Sequence, residues 1–267
     1  MAEVIVDGVR IAYRRGGSGP PLVLFHGAFE DSRAWLETIQ HLDPYLDVIA
    51  WDAPGCGASD DVPPQWTARD WADAAAGFVA ALRLGAPAVA GFSLGSVMAL
   101  LLAREHPASV GRLVLVGAYA GWGGSLDSDA LAQRLAAVRF TVDHPPEVWA
   151  DDFLDSVFAT DARPERQALA RTLLEDWRPA TTAALLDVMV QDLRPDLANI
   201  RTPTVVVRGT ADARSPRHAA VELCELLPRA RLVEIVGAGH DCTGPELESL
   251  LIAASQDARA DAEPPAN

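Results

Sequence analysis

Six short apolar runs recur along the chain, and none shows the polar alternation of a sheet with one wet face: residues 22–25, 48–51, 88–92, 113–116, 204–207 and 232–236. Unbroken runs of this length are expected of parallel strands covered by helices on both faces. Stretches of helical periodicity stand between them, at 32–41, 67–84, 93–106 and 215–227, with a last one after Pro245. At the front, runs 4–6 and 9–13 flank Asp7-Gly8, a hairpin signal. The expected fold class is α/β: a doubly wound, mostly parallel, eight-stranded sheet behind an antiparallel N-terminal hairpin.

That rhythm breaks between the runs at 113–116 and 204–207, where far more chain intervenes than one crossover helix requires. Helix-like patterns at 128–140, 146–158, 164–176 and 181–193 make 120–200 an inserted helical cap. It would lie over the carboxyl ends of the strands, where open α/β sheets bind ligands. The core domain then comprises 1–119 and 201–257. The Ala-, Asp- and Pro-rich stretch that begins near Ser255 predicts a disordered tail over 258–267.

The 37 acidic residues outnumber the 22 basic ones, for a formal net charge of -15. That balance argues against nucleic acid and anionic membrane as partners, since both require a basic footprint. Every basic residue is arginine, so a Schiff base or a lysine general base is excluded. Three scattered cysteines do not make a disulfide framework. The N-terminus lacks a signal-peptide pattern, and the longest apolar stretch, 97–103, is far short of the roughly 20 residues of a membrane span. A cytoplasmic protein acting on a small molecule is expected.

Ser93 lies in the run Gly91-Phe92-Ser93-Leu94-Gly95, directly between a strand pattern and a helix pattern. A turn made at one residue forces strained backbone angles and close packing, which glycines two before and two after relieve. The turn lifts the hydroxyl above the sheet edge, and the helix N-terminus favours negative charge there. The alternative role for this serine is a helix N-cap. A serine nucleophile needs a base and an acid that orients the base. Of six histidines, only His240 falls in a loop at the carboxyl end of a late strand. Asp212 follows the run at 204–207 through a short turn and is the expected acid, with Asp127 and Asp129 as alternatives. Asp241 adjoins His240, where neighbouring side chains rarely converge. For the oxyanion, the amides of Leu94 and Ala28 are the expected donors, the second lying in His26-Gly27-Ala28-Phe29, with the amide of Phe29 as the alternative to that of Ala28.

These motifs, with Asp52-Ala53-Pro54-Gly55-Cys56-Gly57-Ala58-Ser59, make the sequence resemble the α/β-hydrolase-fold superfamily over nearly its whole length. The likeness is to the group of enol-lactonases, meta-cleavage-product hydrolases, esterases and haloperoxidase-like enzymes. In that family Asp52 and Ser59 would be scaffold. A serine at position 93 departs from the haloalkane dehalogenases and epoxide hydrolases of the fold, which use aspartate there, and the absence of lysine departs from its hydroxynitrile lyases. The resemblance implies hydrolysis of a small or medium, partly apolar ester or lactone through an acyl-serine.

Carbon–carbon bond hydrolysis of a dicarbonyl substrate is an alternative, as is a cyclase, lyase or small-molecule receptor that retains the triad. Phe29, with Trp122, Phe140, Trp149, Phe153, Trp177 and Met189 of the cap, would line the substrate pocket, against the alternative that they only pack helices. No cofactor or metal is expected. His240 and Cys242 lack a third ligand, and Gly16-Gly17-Ser18-Gly19-Pro20 lacks the lysine of a phosphate loop.

Overall fold

The computed structural model describes residues 1–63, 65–160 and 162–262. In chain order its strands are β1 (Ala2–Val6), β2 (Val9–Gly16), β3 (Pro21–Phe25), β4 (Asp47–Trp51), β5 (Ala88–Phe92), β6 (Arg112–Val116), β7 (Thr204–Gly209) and β8 (Ala230–Ile235). They form one eight-stranded sheet in the order β1-β2-β4-β3-β5-β6-β7-β8. Pairs β1/β2 and β2/β4 are antiparallel, and every other pair is parallel. The apolar runs therefore form a doubly wound α/β sheet, as their pattern predicts.

Side chains alternate across the sheet, so each buried strand serves two cores. Val23 and Phe25 of β3 join one apolar cluster, and Leu22 and Leu24 join the other. The first core takes α2 (Ala68–Ala81) and α3 (Leu94–Glu105), and the second takes α1 (Leu36–Leu42). Between β6 and β7 lie α4 (Trp122–Ser125), α5 (Ser128–Asp143), α6 (Ala150–Val157), α7 (Pro164–Glu175), α8 (Pro179–Met189) and α9 (Arg194–Leu197). Of these, α8 packs on α3, and α7 packs on the short 3-10 turn Ser32–Trp35. After β7 come α10 (Arg217–Leu226) and, after β8, α11 (Pro245–Ala262).

Helix α11 corrects the expectation of a tail over 258–267: ordered helix runs through Ala262, and 263–267 lie outside the described residues. Leu247, Leu251, Ala254 and Ala258 repeat at helical spacing and are buried in the second core. The small side chains of Ala254 and Ala258 let this helix lie close to β5 and β6. Composition signalled disorder where spacing encoded a packed face.

The sheet order sets the location of the site. From β3 the sheet grows one way to β4 and the other way to β5. Connections leaving the carboxyl ends of β3 and β5 diverge there and open a crevice. The pairing of Phe25 with Gly91 at that edge brings residues 26–29 beside Ser93.

Ala258→Asp places a carboxylate against the sheet and should lower the unfolding free energy by about 3 kcal/mol in urea. Gln256→Asp, on the exposed side of the same turn, should leave it nearly unchanged. Equal tolerance of both substitutions would contradict the packed helix.

Candidate active site

Strand β5 ends at Phe92 and α3 begins at Leu94, so Ser93 alone makes the turn, at φ 52° and ψ -112°. A left-handed serine stores roughly 1–3 kcal/mol of strain, which the surrounding packing must hold. A Cβ on Gly91 would lie 2.1 Å from the Gly95 carbonyl oxygen, and one on Gly95 would lie 2.4 Å from that of Phe25. Both glycines are therefore required by backbone-to-backbone contact. The Ser93 amide donates to Val116 O at 2.8 Å. Its hydroxyl makes no N-cap bond to α3, so the capping alternative does not describe this serine.

The loop after β8 supplies His240 and the loop after β7 supplies Asp212. His240 Nδ1 donates to Asp212 Oδ2 at 2.9 Å, and Asp212 Oδ1 accepts from the amides of Arg214 at 2.8 Å and Ser215 at 2.9 Å. Burial alone would raise the Asp212 carboxyl. The His240 bond and the two amides outweigh it and hold its pKa below the usual value. For His240, burial dominates and lowers the pKa below 6.5 against the pull of Asp212, with Arg214 and Arg134 acting in the same direction as burial.

Glycine at 117 makes room for the ring, since a Cβ there would lie 2.7 Å from His240 Cε1. With Nδ1 donating, Nε2 carries the free lone pair; it is buried and unbonded among the described residues. No hydrogen bond joins Ser93 to His240 here, but both line one small cavity. The other acids are elsewhere. Asp127 and Asp129 are exposed at the start of α5, where Asp127 Oδ1 accepts from the amides of Asp129 and Ala130.

The loop after β3 is fixed from below. His26 Nε2 accepts from the Ala53 amide at 3.0 Å, leaving Nδ1 to donate to Gly27 O at 2.8 Å. Asp52 accepts from the amides of Ser32 and Ala58, each at 2.8 Å, and Ser59 Oγ donates to Asp52 O at 2.7 Å, which ties the neighbouring turn to the same edge. The amides of Ala28 and Leu94 form no hydrogen bond among the described residues, and both residues line a cavity with Ser93.

Two groups here escaped the sequence. Glu30 accepts the Gly27 amide at 2.8 Å, and burial pushes its carboxyl up to about 7 against the opposing charge of Arg166. Arg166, on α7, donates from Nε to Asp241 Oδ2 at 2.6 Å and from Nη1 to Ala34 O at 2.5 Å. It thus joins the helical segment to the residue beside His240. Nothing in the local pattern around Arg166 marks a contact with residues so distant in the chain.

The larger cavity, about 580 Å³, lies over Ser93. The structure brings Phe29, Trp122, Phe140, Trp149, Phe153, Trp177 and Met189 to its wall. Phe29 also packs its ring on Trp149, Phe153 and Trp177, with centroids 5.3, 5.1 and 4.9 Å away. The aromatic residues thus both pack helices and line the cavity. Arg134, Arg214 and Asp152 line it too and were missed; the only signal was Arg214's place two residues after Asp212. Among the described residues no group of three His, Cys, Asp or Glu is placed to hold a metal ion.

Residues 20–242 match the alpha/beta hydrolase fold family. The chain is 34% identical over 253 residues to the polyketide synthase ThaQ of Burkholderia thailandensis, covering 87% of this chain but only 11% of that protein. It is 32% identical over 235 residues to a pimeloyl-[acyl-carrier protein] methyl ester esterase of Aromatoleum aromaticum, covering 83% of this chain and 91% of that one. In structure it is similar to the enol-lactonase of Burkholderia xenovorans LB400, with a TM-score of 0.82 at 22% identity, over 96% of this chain and 99% of that one.

A base works in its neutral form, so lowering the pKa of His240 extends activity toward acid. The acid limb of kcat/KM for a p-nitrophenyl ester should have its midpoint below 6.5, the ordinary value for histidine. A midpoint above 6.5 would contradict the burial of this ring.

Proposed function

The chain belongs to the α/β-hydrolase-fold family, and on that premise we propose that it is a cofactor-independent serine hydrolase of a small or medium, partly apolar ester or lactone. One observation carries the reading: a strained serine whose hydroxyl caps nothing lines the same cavity as a buried histidine already oriented by an aspartate. The serine hydroxyl attacks the carbonyl carbon while His240 Nε2 takes its proton. Asp212 steadies the resulting imidazolium.

The oxyanion develops against the amides of Leu94 and Ala28, whose N–H groups have no competing acceptor among the described residues. The imidazolium protonates the departing alkoxide, and water then attacks the acyl-serine by the same route. Phe29 and the helical wall supply the apolar part of the pocket. The likeness to a methyl ester esterase supports an ester bond. Three free cysteines support a reducing, cytoplasmic setting, and no helix among the described residues is long and apolar enough to cross a membrane.

A panel of esters, lactones and dicarbonyl compounds tests this reading against the wild type and variants. Ser93→Ala should lower kcat by roughly 10⁶, and Asp212→Asn by about 10⁴. Turnover that survives Ser93→Ala would overturn the acyl-serine. A dicarbonyl substrate cleaved faster than every ester would place the activity at a carbon–carbon bond instead. Labelling of Ser93 by a fluorophosphonate with no turnover of any substrate would mark a receptor.

A further inference from the structure

The cavity over Ser93 is mostly apolar, yet Arg134 and Arg214 both reach its wall. Among the described residues neither guanidinium is ion-paired to a carboxylate. Arg214 Nη1 donates to Ser156 Oγ at 2.6 Å and the guanidinium stacks 4.7 Å from the Phe153 ring centre. Arg134 lies over Trp122 at 5.4 Å and donates from Nη2 to Arg214 O at 3.3 Å. Tyr119 OH donates to that same carbonyl at 2.5 Å, so the Arg214 backbone is bonded to both Tyr119 and Arg134.

In a chain with fifteen more acidic than basic residues, carboxylates were available to neutralise these cations, and elsewhere they do so, as at Arg15–Asp47, Arg33–Asp31 and Arg166–Asp241. A partly buried arginine left with a hydroxyl and an aromatic face retains unused donors aimed for a planar, bidentate acceptor. The like charge of Arg134 compounds the cost: burial first, and then that charge, lower the pKa of Arg214 to about 10.

We propose that Arg134 and Arg214 form a subsite for a carboxylate carried by the substrate away from the scissile carbonyl. Two arginines with the exposed Asp152 give the cavity lining a net single positive charge, which matches a monoanion better than a phosphate dianion. The apolar wall takes the chain that joins carboxylate to ester. This deepens the serine-hydrolase reading and rests on it.

The test compares monomethyl adipate, with its carboxylate on the acyl side, against dimethyl adipate, and 4-acetoxybutanoate, with the carboxylate on the alcohol side, against its methyl ester. For at least one pair, wild-type kcat/KM should favour the anion by tenfold or more, and the preferred pair shows which side of the ester faces the arginines. Arg134→Gln and Arg214→Gln should each reduce that ratio at least tenfold, chiefly through KM, and Arg214→Lys should restore part of it. If Arg214→Gln does not fold, Arg134→Gln on the partly exposed α5 carries the comparison alone.

No anionic preference in either pair, or a ratio that both variants leave intact, would overturn the subsite. If no ester at all is turned over, the hydrolase reading has failed instead. Calorimetric binding of adipate to the wild-type protein, weakened tenfold in the arginine variants, would then still uphold the subsite, and absence of that binding would remove it.

Discussion

A backbone-to-backbone contact at the carboxyl end of β5 fixes the arrangement of everything else. Gly95 sits against the carbonyl of Phe25, and Gly91 sits against the carbonyl of Gly95, each too close for a Cβ. That closeness drives the chain from strand to helix within one residue and holds Ser93 in the left-handed region. It also locks α3 to β3, and so fixes the distance from Ser93 to the loop that follows Phe25. Ala28 and Leu94, whose amides are unbonded among the described residues, line one cavity because two strands and a helix meet there with glycines between them.

Burial then decides the charge states around that contact. Burial lowers the pKa of His240 and so favours its neutral form, while the Asp212 carboxyl is held below its usual value because the imidazole and two amides bond it. Desolvation penalises both charged forms, and the shared hydrogen bond favours both, but only at the carboxylate, with two further amides, do the hydrogen bonds and the histidine's charge outweigh burial. Arg166 extends the same logic outward, linking α7 to Asp241 beside the histidine and placing its charge near Glu30 in the loop after β3. The helices between β6 and β7 are thus tied electrostatically to the loops they adjoin, as well as through the rings around Phe29.

Much of this was legible in the sequence because it is local. Unbroken apolar runs specified the parallel strands within a residue or two, and the glycines around Ser93 announced the turn. Asp212 and His240 could be placed because strand ends in a parallel sheet all deliver their loops to one edge. What stayed hidden depends on contacts between distant segments. Arg134 and Arg214 look like solvated helix and loop arginines until the fold brings them to one cavity. Glu30 looks like a turn residue until burial shifts its carboxyl. At the other end, the alanines of α11 read as a tail because composition is blind to the face on which they fall.

Catalysis by an acyl-serine requires a covalent bond to one oxygen. Acid-quenching the enzyme during turnover of a p-nitrophenyl ester and weighing the intact protein measures that bond directly. Wild-type protein should gain the mass of one acyl group, fragmentation should place it on Ser93, and Ser93→Ala should gain none. Turnover at full rate with no acylated species, or with the acyl group on another residue, would contradict the role assigned to Ser93.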